Sequence, residues 1–113
     1  MYDYSSIDEF SYSQYKDTIS TIKILDEVSS IGMYAFSSFT NLEILMIESN
    51  VLTINDYSLY DCNNLSKIVI PNSVNHIGNI FGNNFPETLK FIETSDNNYA
   101  YNWFKQNNNN NNS

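Results

Sequence analysis

The sequence contains no arginine, and its 5 lysines face 13 aspartates and glutamates, giving a formal charge of −8 and a pI near 4.2. Phosphate backbones need clustered Lys or Arg, so nucleic acid is excluded as a partner, and anionic membrane surfaces are disfavoured for the same reason. The single cysteine, Cys62, cannot form an internal disulfide, which removes the disulfide-stapled scaffolds. With one histidine and three glycines there is no metal-ligand spacing, no nucleophile–base pair and no phosphate-cradling loop. No catalytic residue, cofactor site or metal site is expected. No run approaches the ~18 apolar residues of a membrane helix, and MYDYSSIDEFSYSQYKD lacks the basic start and apolar core of a secretory signal. These absences lead to the expectation of a soluble intracellular chain, or of a piece of something longer.

What is present is a repeat. Ile31 recurs as Ile54 and Ile77, Leu42 as Leu65, Leu45 as Ile68, Ile47 as Ile70 and Val51 as Val74, in steps of 23 residues. Ile19, Ile22, Ile24 and Val28 stand one step earlier still. A fixed period with apolar residues always in phase predicts a solenoid. Within each unit, apolar and variable residues alternate in Leu-x-x-Ile-x-Ile, the pattern of a half-buried strand. Four strands are expected, around Ile22–Ile24, Leu45–Ile47, Ile68–Ile70 and, less regularly, Ile92–Thr94, stacked into one parallel sheet. The residue after each repeat-opening isoleucine is Gly32, Asn55 or Gly78, which predicts a recurrent left-handed corner. Asn41 and Asn64 suggest a second corner, where an Asn side chain bonds nearby backbone.

The chain divides into an irregular N-terminal cap (1–18), repeats (19–94), a C-terminal cap (95–106) and a disordered Asn-rich tail (107–113). In the fourth unit Pro86 inserts one residue, so Leu89 and Ile92 lag the phase by one. Ser95, Asp96 or Asn97 is placed to cap a short helix that lays Tyr99, Trp103 and Phe104 over the last core layer.

Ile-Gly-x-x-Ala-Phe-x-x-Phe-x-x-Leu-x-x-Leu-x-Ile, followed by Leu-x-x-Ile-x-Ile-Pro-x-x-Val-x-x-Ile-Gly, resembles the BspA-type leucine-rich repeat over roughly Ile19 to Ile92. Ser58-Leu59 and Phe81-Gly82 depart from its Ala-Phe pair. The resemblance implies a right-handed leucine-rich-repeat solenoid with a parallel sheet on its concave face. It also implies a non-catalytic protein-binding module, often an exported surface protein that acts in adhesion.

Two single residues invite functional readings that the repeat does not favour. Cys62 occupies the slot of Phe39 and Phe85, so it is expected to be a buried structural thiol, and His76 shares a slot with Ser30 and Thr53 and is expected in a solvent-facing turn. Asp26-Glu27 and Asp56 with Asp61 have no calcium-loop spacing. The candidate that remains is the outward face of the sheet, where Ile44, Met46, Val69 and Phe91 would form an apolar patch flanked by Lys23, Lys67, Glu48 and Glu93. A protein partner is expected there. The alternative is a structural unit that self-associates through its ends or this patch.

Overall fold

The computed structural model describes residues 6–7, 16–25, 27–90, 92–94 and 96–112. Three strands form one parallel sheet: β2 (Thr21–Ile24), β4 (Ile44–Ile47) and β6 (Lys67–Val69). Ile22 pairs with Leu45 and Leu45 with Ile68, a step of 23 residues each time. The apolar period thus becomes a hydrogen-bond register, with each unit set on the next.

A second parallel sheet, which the sequence reading did not anticipate, runs through β1 (Ser6–Ile7), β3 (Ser30–Ile31), β5 (Thr53–Ile54) and β7 (His76–Ile77). Its strands are two residues long, too short for alternation to be visible. Their apolar residues Ile31, Ile54 and Ile77 are buried in the same core as Leu42, Leu45, Leu65 and Ile68. His76 therefore stands in a strand, exposed, rather than in a turn. β1 pairs Ile7 with Ile31, so the segment read as an irregular cap supplies a rung to this ladder, offset by one residue from the 23-residue phase.

The left-handed corners lie elsewhere than expected. Gly32, Asn55 and Gly78 have ordinary φ; positive φ occurs at Tyr34 (61°) and Tyr57 (61°), one step apart, and at Ser38 (63°) and Asp61 (66°), also one step apart. Asn55 instead uses its side chain, donating Nδ2–H to the Ile31 carbonyl at 2.8 Å. Gly78 packs closely on Asp56: an added Cβ would crowd the Asp56 backbone N–H and displace its carboxylate. That carboxylate accepts the Asn79 N–H at 2.8 Å. Asn41 and Asn64 do bond backbone, but across units: Asn64 donates to the Thr40 carbonyl at 2.7 Å and Asn41 to that of Asp17.

The fourth strand of the first sheet is reduced to a single bridge, Val69 with Glu93, where the offset has grown to 24. That is the one-residue lag expected from Pro86. The chain then enters α1 (Asn98–Asn112). Asn97 accepts the Ala100 N–H at 3.1 Å and donates to the carbonyls of Pro71 (2.9 Å) and Val74 (2.8 Å), so one side chain caps the helix and ties it to the preceding unit. Ala100 and Phe104 are buried on the last core layer. The helix is longer than expected, continuing to Asn112 through the run read as a disordered tail. Asn107 supports this extension by donating to the Trp103 carbonyl at 2.8 Å, one helical turn back.

Candidate binding face

The register of β2, β4 and β6 fixes the side chains of their outward face in rows. One row carries Thr21, Ile44 and Lys67; the next carries Lys23, Met46, Val69 and, through the bridge, Glu93. Glu48 follows β4, its N–H donating to the Ile24 carbonyl at 2.8 Å. Seven of the eight residues expected on this face are described; Phe91 lies outside the described residues.

Ile44, Met46 and Val69 are half-buried, since each shields its neighbours along and across the strands, whereas Lys23, Glu48 and Glu93 are exposed. The patch is therefore flatter and smaller than four fully exposed apolar residues would make it. Lys67 meets Glu93 at 3.1 Å with both side chains well solvated. Such a pair is worth at most about 1 kcal/mol, and it orients the two groups more than it stabilises the fold. Two of the chain's five lysines, Lys23 and Lys67, fall on this face opposite Glu48 and Glu93, so it is locally balanced on a strongly acidic molecule.

Large exposed apolar groups also lie away from this sheet, at Met33, Tyr34, Leu52, Tyr60, Tyr99 and Tyr101, while exposed Leu25 follows β2 as Glu48 follows β4. Tyr34 and Tyr57 stack with ring centroids 5.4 Å apart and planes 8° from parallel, and Tyr57 meets Tyr60 edge-on at 5.9 Å. The sequence pattern singled out Tyr99, in the C-terminal cap, and missed this ladder. The signal was available, since Tyr34 and Tyr57 share a repeat position.

Burial pushes the Cys62 thiol up to about 12, aided by the nearby Asp61 charge and offset in part by a backbone hydrogen bond from Phe39. Its Sγ–H is directed at the Phe36 carbonyl, 3.0 Å away, so it is a packed thiol and a poor nucleophile. Among the described residues no three His, Cys, Asp or Glu side chains are grouped to hold a metal, and no helix is long and apolar enough to cross a membrane.

A family model, described as the BspA type leucine rich repeat region, matches residues 2–111 in 6 copies. It begins inside the segment read as an N-terminal cap. No curated protein and no solved structure matches the chain.

Proposed function

The chain belongs to the BspA-type leucine-rich repeat family, and from that membership we propose a non-catalytic module that recognises a protein partner through the outward face of β2, β4 and β6. In this reading the units wind as a right-handed solenoid with that sheet on the concave side, and recognition serves adhesion. The observation that carries it is the in-register row Lys23, Met46, Val69 and Glu93, an apolar centre with a charge of opposite sign at either end. Binding sites commonly place apolar anchors centrally and charge at the rim. The same reading makes Ile44, Lys67 and Glu48 contact residues, and takes Phe91 as a further one on the sequence pattern alone.

A photo-crosslinking residue at Met46 should trap a protein that the same residue at Asn50 does not. Met46→Glu with Val69→Glu should weaken its capture by about tenfold or more, close to 1.4 kcal/mol, with circular dichroism unchanged. Undiminished capture by the double variant would remove this face from recognition. If the trapped protein is a second copy of the chain, the self-associating unit is the correct reading instead.

A further inference from the structure

Beyond the sheet face, the junction of the last repeat with α1 contains an open cavity of about 210 Å³. Its aromatic wall is Phe81, Phe85 and Trp103, with Phe81 and Phe85 centroids 5.1 Å apart and Trp103 6.3 and 6.5 Å from them. Its polar lining comes from Asn79, Asn83 and Asn107. Among the described residues the side-chain amides of Asn79 and Asn83 have no hydrogen-bond partner, and Asn107 has committed only Nδ2, leaving its Oδ1 as an acceptor. Gly82, at φ 62°, has no side chain to obstruct the rim, and a Cβ there would press on the rings of Tyr57 and Tyr60.

Among the described residues none that lines this cavity is charged, although the molecule carries 13 acidic groups. An ionic ligand would find no counter-charge. A wholly apolar one would strip water from the amides without replacing their hydrogen bonds, which is costly. The fitting ligand is neutral, with an apolar face for the rings and a polar edge that both donates and accepts toward carboxamides. The volume lies below the ~300–1,000 Å³ of drug-sized pockets, which limits it to a single ring.

We propose that this cavity binds one pyranose ring of a neutral saccharide, its C–H face on the partly exposed rings of Trp103 and Phe85 and its hydroxyl edge on Asn79, Asn83 and Asn107. A second, more polar depression of about 480 Å³ shares Asn83 and Phe85 and includes Asn63, Thr88 and Glu87, whose carboxylate would accept from the hydroxyls of a following neutral ring and repel an acidic one.

Trp103 is the sole tryptophan and lines the cavity, so its fluorescence reports occupancy directly. Titrating the intact chain with neutral methyl pyranosides and their disaccharides should give saturable changes for at least one sugar. The monosaccharide Kd should be about 1–10 mM, with the matching disaccharide several-fold tighter. Glucuronate should bind at least tenfold more weakly. Asn83→Ala, an exposed site with no bond to lose, should weaken binding about tenfold at an unchanged melting temperature, whereas Met46→Glu should leave it unaltered. Saturation-transfer NMR on the sugar protons covers the case of a silent fluorophore. Absence of saturation by both methods for every neutral sugar, equal binding of glucuronate, or indifference to both Asn83→Ala and Asn79→Ala would overturn the assignment.

Discussion

Ser58 is completely buried in the slot that Ala35 fills one unit earlier, and its hydroxyl has no hydrogen-bond partner among the described residues. Ser58→Ala should therefore stabilise the protein by about 1 kcal/mol, read as a higher urea midpoint at unchanged slope. Cys62 supplies the pH dependence. Its folded-state pKa is raised from the ordinary 9.0 to about 12, so the native state holds the thiol proton over a range where the unfolded chain has released it. Proton binding then favours the native state, and the thiol's contribution is complete below 9.0 and lost as pH rises toward 12. The stability advantage of wild type over Cys62→Ala should shrink across that window. A thiol reagent at pH 8 should react with Cys62 only as fast as the chain opens.

At the scale of elements, the ladders end at α1 through specific bonds. The Ile77 N–H at the end of the second sheet has no further strand to pair with and donates to the Tyr99 hydroxyl at 2.8 Å. Tyr99→Phe should cost about 1–3 kcal/mol by leaving that donor unpaired, while Tyr101→Phe, on an exposed side chain, should cost nearly nothing. Asn97→Ala removes a helix cap and two inter-unit bonds and should cost about 2–4 kcal/mol in thermal or urea unfolding. How much was legible differs by element. The alternation in Ile44–Ile47 and its recurrence fixed the three-strand register, because one buried face repeats for every strand. Ser30–Ile31 and its equivalents were illegible as strands, since two residues cannot show a period. The glycine–asparagine position was read for the wrong reason: Gly78 packs on Asp56 and Asn55 uses a side-chain bond, whereas the repeated left-handed turns fall on Tyr34 and Tyr57, which no propensity flags, and on Ser38 and Asp61. The aromatic cavity was hidden because Phe81 and Phe85 are distant in sequence from Trp103 and Asn107, and only the docking of α1 unites them.

As a whole the molecule is elongated, 45 × 29 × 19 Å, and each strand pairs only with its counterparts in adjoining units. Stability in such an arrangement is passed between neighbours, so an insult at one end should be felt most at that end. Removing residues 97–113 should accelerate amide exchange in β6 and β7 at least about tenfold more than in β2 and β3. Uniform acceleration would mean that the units do not act as separable layers. The bonds themselves carry a further consequence. Thr88 to Leu65, Ser66 to Glu43 and Asn79 to Asp56 each join residues 23 positions apart. A duplication or excision of one whole period in the middle of the gene would hand the Thr88 and Ser66 hydroxyls a fresh backbone carbonyl, whereas a change of 22 would leave them misaligned. The Asn79 bond alone needs Asp56 itself, because Met33 holds the equivalent slot one unit earlier. Length is thus a quantity this protein can alter in whole increments, by copying, without inventing a new interaction.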